Sequence, residues 1–209
     1  VAPGDRVISI GAWGGFATHA CVPAAQLLPL PTPVSLDDGA AFVFTYGTSY
    51  HALIDRGALK PGETVLVLGA AGGVGSAAVQ IAKAAGARVI AAASNADKAA
   101  WCKTLGADIV VDYGSDDLRK ALASATQGRG PDVVYDPVGG ALAEPAFRSI
   151  AWRGRFLVVG FSEGSPRPWA SSGCGPRHHC SPRVRRLSSA APMPSTRPRR
   201  PSCSARRTR

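Results

Sequence analysis

The chain has 209 residues, a formal net charge of +10 and 45% hydrophobic residues. That length suits one full domain or one and a half. No apolar run reaches the roughly 18–20 residues of a membrane span, and no signal-peptide pattern precedes the first strand, so a soluble, cytoplasmic protein is expected. The charge is unevenly placed: residues 1–163 hold 13 Lys and Arg against 14 Asp and Glu, whereas residues 164–209 hold 11 Arg and no acid. The body is therefore near neutral, and the basic excess belongs to the tail. Two isolated cysteines in the body, Cys21 and Cys102, make no disulfide framework and are expected as buried or half-buried thiols. The chain opens at Val1 in a strand-like run and reads as beginning inside a larger protein.

Gly4-Asp5-Arg6 is a turn that feeds a strand over 7–10. A glycine-rich turn around Trp13 leads to a second strand over 16–22 and a proline-punctuated connection over 23–33. Short strands spaced by glycines suggest a small β-rich unit. Ser35 then caps a helix whose first turn carries Asp37 and Asp38, acids that suit the positive end of the helix dipole. An apolar segment runs to Phe44, and a second helix over 48–56 stops at Gly57. From Thr64 the rhythm becomes strand, helix, strand. Strands are predicted over 64–68, 88–93, 109–111, 133–135 and 155–159, with helices over 73–85, 96–105, 116–125 and 141–150. The first of these strands is apolar throughout, as a strand buried on both faces should be. Five strands alternating with helices predict an α/β doubly wound parallel sheet with right-handed crossovers.

The chemistry is carried by Gly69-Ala70-Ala71-Gly72-Gly73-Val74-Gly75, between the first of these strands and its helix. That context defines a dinucleotide (Rossmann) fingerprint, here in the form A-x-G-x-x-G. Gly72 and Gly73 admit a pyrophosphate close to the backbone, and Gly75 lets the helix pack on the strand. The helix start offers free N–H groups and a positive dipole, so residues 71–75 are candidate cofactor contacts. The next strand ends Ala93-Ser94-Asn95, with no acid at its tip to bind a ribose 2′-hydroxyl. An acid there would repel a 2′-phosphate. Ser94 can donate a hydrogen bond and Lys98 supplies a charge one turn later, which points to NADPH.

Three further groups of residues extend the pattern: Gly47-Thr48-Ser49-Tyr50-His51-Ala52-Leu53, Leu59-Lys60-Pro61-Gly62-Glu63-Thr64-Val65-Leu66-Val67, and Tyr135-Asp136-Pro137-Val138-Gly139-Gly140. With Leu105-Gly106-Ala107-Asp108 and the segment Gly154-Arg155-Phe156-Leu157-Val158-Val159-Gly160-Phe161, the chain resembles the quinone oxidoreductase (zeta-crystallin-like) branch of the medium-chain dehydrogenase/reductase superfamily over residues 1 to 163. The resemblance implies an NADPH-dependent reductase of a quinone or α,β-unsaturated carbonyl, with a homodimeric parent. It implies a 2′-phosphate site of Ser94, Lys98 and Tyr113, and contacts near the nicotinamide from Thr48, Gly160 and Phe161. It also implies that residues 1–34 are the remnant of a β-rich GroES-like catalytic domain and residues 35–163 the NADP-binding domain, a chain truncated at both ends. The alternatives are a zinc-independent alcohol dehydrogenase-like protein, or a non-catalytic dinucleotide-binding protein of the crystallin kind.

Zinc-dependent relatives hold a catalytic metal with cysteine, histidine and acid. His19 and Cys21 share a strand face with no third ligand nearby, so no metal site is assigned. His51 reads as structural, and no catalytic residue is named. Residues 164–209 turn to Arg, Pro and Ser, with Cys174, His178, His179 and Cys180 among them. Nucleic-acid binding by a basic arm and a Cys/His metal tract are two readings. Disorder is a third. The preferred reading is a disordered, out-of-frame translation that begins between Gly164 and Arg167.

Overall fold

A computed structural model describes residues 1–11 and 14–163 and the backbone of residues 183–186. Trp13 and the Cys/His segment of the tail lie outside the described residues. At the N-terminus, β1 (Val7–Ser9) pairs antiparallel with β2 (Leu27–Pro29), Val7 opposite Pro29. The expected strand over 16–22 does not form. That segment carries strand-favouring side chains, but its residues are almost all exposed and no neighbour offers a ladder, and a strand is stabilised only by pairing and burial. Its place is taken by β2, whose proline sits on an edge, where a missing N–H is tolerated. Cys21 is exposed there, against expectation, while Cys102 is fully buried.

The first helix, α1 (Leu36–Tyr50), starts as expected: Ser35 Oγ accepts the Asp38 N–H at 3.0 Å. It does not end at Phe44. It runs on through Gly47 and passes into a π-helical turn, His51–Arg56. The two predicted helices are thus one, because a single glycine weakens a helix by about 1 kcal/mol without breaking it.

The remaining strands build one parallel sheet. β3 (Thr64–Val67), β4 (Arg88–Ala93), β5 (Ile109–Asp112), β6 (Val133–Asp136) and β7 (Arg155–Val158) alternate with α2 (Gly73–Ala84), α3 (Ala96–Thr104), α4 (Leu118–Ala125) and α5 (Gly140–Arg148). The strand order is β5-β4-β3-β6-β7-β8, where β8 is Arg183–Arg186. Counted from β3, that is the order 3-2-1-4-5-6 of a doubly wound dinucleotide-binding sheet. β8 was not anticipated. It lies inside the tail expected to be disordered, yet it fills the sixth position, parallel to β7 with Phe156 opposite Val184.

Alternating residues of β3 and Leu68, which follows it, feed two cores. Val65 and Val67 pack with Leu53, Val79, Ala82 and Leu157 under α2 and the π turn. Leu66 and Leu68 pack with Ile90, Leu122, Ala146 and Phe156 under α4 and α5. All four β3 residues are buried, as a central parallel strand requires. Gly75 makes the α2–β3 contact possible: a Cβ there would lie 2.2 Å from the Gly69 carbonyl oxygen. Below the sheet, Arg155 of β7 donates from Nη1 to Glu63 Oε1 at 2.9 Å and from Nη2 to Glu63 Oε2, tying β7 to the turn before β3. Burial pushes the Glu63 carboxyl up, but the Arg155 hydrogen bond and its charge, with the Lys60 N–H, bring it below the usual range.

Candidate functional site

A cleft of about 370 Å³ opens at the carboxyl ends of the parallel strands. It is built from the segments that follow all five: Gly69, Ala71, Gly72 and Val74 after β3; Ser94 and Lys98 after β4; Tyr113 after β5; Pro137 and Val138 after β6; Ser162 and Glu163 after β7. It sits where the strand order reverses about β3, the position at which open α/β sheets bind ligands. A larger groove of about 470 Å³ lies elsewhere, lined by residues 128–130, which precede β6, and 148–150, which precede β7. It contains none of these strand ends.

The glycine turn is held by its own backbone. Gly69 takes φ +56°, where a Cβ would press within 2.7 Å of Val138. The Ala70 N–H donates to the Ala92 carbonyl at 3.1 Å, and the Gly72 N–H to the Gly69 carbonyl at 3.0 Å. Gly72 then caps α2 in an extended conformation. Among the described residues, no hydrogen bond takes up the N–H groups of Ala71, Gly73, Val74 or Gly75. Free N–H groups at a helix start, in a turn without side-chain bulk, suit an anionic ligand.

At the other end of the cleft, Lys98 Nζ donates to Ser94 Oγ at 3.1 Å. Asn95 caps α3, its Oδ1 accepting the Lys98 N–H at 2.9 Å, which fixes that lysine one turn above Ser94. Tyr113 is brought beside them because its N–H donates to the Ala93 carbonyl. Gly114 follows so closely that a Cβ would lie 2.7 Å from the Ser94 carbonyl oxygen. No carboxylate stands at the tip of β4. Asp112, opposite Ala93 on β5, accepts the Gly114 N–H on Oδ1.

The structure thus gathers Ala71, Gly72, Val74, Ser94, Lys98 and Tyr113 of the predicted residues round one cleft. Gly73 and Gly75 belong to the turn without lining the cleft, and a Cβ on Gly73 would lie 3.4 Å from the Thr45 side chain. A Cβ on Gly160 would lie 3.0 Å from the Pro137 carbonyl oxygen, and one on Gly139 would lie 3.3 Å from the Phe161 ring, so Gly160 and Phe161 border the loop after β6. Thr48 does not line the cleft. From α1 it is Ser49 that bonds to the glycine turn, through the Val74 carbonyl. Sequence reading missed Pro137, Val138, Ser162 and Glu163. The signal for the first two was Asp136, whose Oδ1 accepts the N–H groups of Val138 and Gly139 at 2.9 and 2.8 Å and shapes that loop. Burial pushes the Asp136 carboxyl up; these two bonds oppose the rise and the Glu163 charge adds to it.

Residues 73–174 match the family model described as zinc-binding dehydrogenase. The quinone oxidoreductase-like protein 2 of Bos taurus is 39% identical over 79% of this chain and 48% of its own length. The Escherichia coli quinone oxidoreductase complexed with NADPH is 33% identical, with a TM-score of 0.76 over 84% of this chain and 52% of that one. The Thermus thermophilus quinone oxidoreductase, solved alone and with NADPH, is 38% identical, with a TM-score of 0.70 over 81% and 54%. The chain thus carries a dehydrogenase family domain and is similar to quinone oxidoreductases of the medium-chain dehydrogenase/reductase superfamily. It spans about half the length of the curated relatives it matches. The family match continues to Cys174, past the point where the composition changes. His19 and Cys21 are both exposed, and among the described residues no group of three or more His, Cys, Asp or Glu gathers. None of the described helices is long and apolar enough to cross a membrane.

Proposed function

We propose that residues 35–163 bind NADPH in this cleft, and that the protein to which they belong transfers hydride to a quinone or an α,β-unsaturated carbonyl. The observation that carries the reading is the pairing of Lys98 Nζ with Ser94 Oγ beside Tyr113, at a strand end free of acid. A cation, a hydroxyl donor and a phenol suit a 2′-phosphate, and the absent carboxylate removes the usual discrimination in favour of NADH. The free N–H groups of Ala71, Gly73, Val74 and Gly75 suit the pyrophosphate. Gly160 and Phe161, beside the loop after β6, are assigned to the nicotinamide end; Thr48, which does not line the cleft, has no assignment there.

The nicotinamide supplies the hydride when bound. The contribution of the chain is to bind, orient and shield it. No proton donor to the substrate is assigned. Fluorescence titration with NADPH and NADH tests the binding step. Tighter binding of NADPH by about tenfold or more is expected from a charge-assisted contact to the 2′-phosphate. Equal affinities would remove the assignment of Ser94, Lys98 and Tyr113. Turnover of a quinone with NADPH tests the reaction.

A further inference from the structure

A buried pair of hydroxyls runs into the glycine turn. Ser49 of α1 and Tyr135 of β6 are both fully buried. Ser49 Oγ donates to the Val74 carbonyl at 2.8 Å and lies 2.8 Å from the Tyr135 hydroxyl. A serine hydroxyl has one hydrogen. With that hydrogen on Val74, the Tyr135 O–H must be the donor to Ser49. The Tyr135 main-chain carbonyl also accepts the N–H of Leu68, the residue before Gly69. Tyr135 therefore holds both ends of the turn, the start directly and the end through Ser49.

The Val74 carbonyl belongs to the same peptide unit as the Gly75 N–H, one of the free donors at the start of α2. A hydrogen bond to a peptide carbonyl polarises the unit and strengthens its N–H, and the effect is larger in a low-dielectric interior. We propose that Tyr135 and Ser49 are positioning residues whose hydroxyl relay sets the geometry and donor strength of the pyrophosphate-binding turn. The proposal rests on the NADPH reading of the cleft. It differs from a purely structural role in one respect: it acts on the turn and leaves the Ser94–Lys98 end of the cleft alone.

The test compares NADPH with adenosine 2′-monophosphate, which carries the 2′-phosphate and lacks the pyrophosphate. Calorimetric titration of the unsubstituted chain, Tyr135→Phe, Ser49→Ala and the double variant gives both affinities. Either single substitution is expected to weaken NADPH by about three- to tenfold. The double variant should bind no worse than Ser49→Ala, since one relay is broken once. Adenosine 2′-monophosphate should bind all four alike. Tyr135→Phe removes a single oxygen from a packed ring and preserves shape, so it separates the relay from folding. Parallel loss of both ligands, additive losses in the double variant, or unchanged NADPH binding would overturn the relay. Failure of the unsubstituted chain to bind NADPH overturns the underlying reading too, and is recognised because no variant is involved.

Discussion

The Tyr135 hydroxyl lies 2.8 Å from Ser49 Oγ, in a core where both side chains are closed to solvent. Burial pushes the phenol up to about 12. In the unfolded chain it ionises near 10. A group raised in the folded state contributes stability that is complete below the unfolded value and lost as pH climbs through the folded one. The native state should therefore lose roughly 2–3 kcal/mol between about pH 10 and pH 12 from this residue. Urea unfolding across that window measures it. Tyr135→Phe should show a shallower alkaline decline, and an identical decline would assign the loss to other groups.

Lys98→Ala removes the cation at the Ser94 end of the cleft while the Asn95 cap on its main-chain N–H remains. NADPH affinity should fall by about 10- to 100-fold, the worth of a charge-assisted hydrogen bond. NADH affinity should stay within a factor of two or so. Equal losses for both would show that Lys98 acts on something other than the 2′-phosphate.

Gly75 and Gly47 make a matched pair. A Cβ on Gly75 meets the Gly69 oxygen at 2.2 Å and the Ala70 Cα at 2.9 Å; a Cβ on Gly47 meets nothing within 4 Å. Gly75→Ala should destabilise by about 3 kcal/mol or more, because backbone rather than a flexible side chain must move. Gly47→Ala lies in a helix interior and should stabilise by about 0.5–1 kcal/mol. Thermal unfolding of the two variants should shift in opposite directions.

Asp136 gives a third contrast. Its Oδ1 holds two buried N–H groups, yet its charge is disfavoured by burial and by Glu163. Because the folded value is raised, the ionised form costs stability as pH rises above the carboxylate range. Asp136→Asn keeps the acceptor and drops the charge, so it should match or exceed the parent in stability at neutral pH. Asp136→Ala leaves both N–H groups without an acceptor and should cost about 1–3 kcal/mol. Denaturant midpoints at neutral pH decide; an asparagine variant as damaged as the alanine one would mean that the charge itself is needed.

What could be read from the sequence follows the range of each interaction. Ser94 and Lys98 are four residues apart on one helix start, and the glycine turn is contiguous, so local spacing placed them correctly. The alternation in β3 and its neighbours reported burial on two faces. The Ser49–Tyr135 bond joins residues 86 apart, and nothing in either neighbourhood announces it. Glu163 enters the cleft because its N–H donates to the Val138 carbonyl, a contact made only after β6 and β7 pair. The strand expected over 16–22 failed for the converse reason: its residues favour extension, but pairing partners are a tertiary matter. β8 escaped notice because its three arginines carry no strand pattern.

That last strand shows what an open sheet edge reads. The outer side of β7 presents main-chain donors and acceptors, and these recognise an extended backbone whatever side chains it bears. Arg155, Phe156, Leu157 and Val158 are matched one for one by residues 183–186. The sixth place in the sheet is thus a template blind to composition. A segment can occupy it without sharing the apolar character of the strands inside.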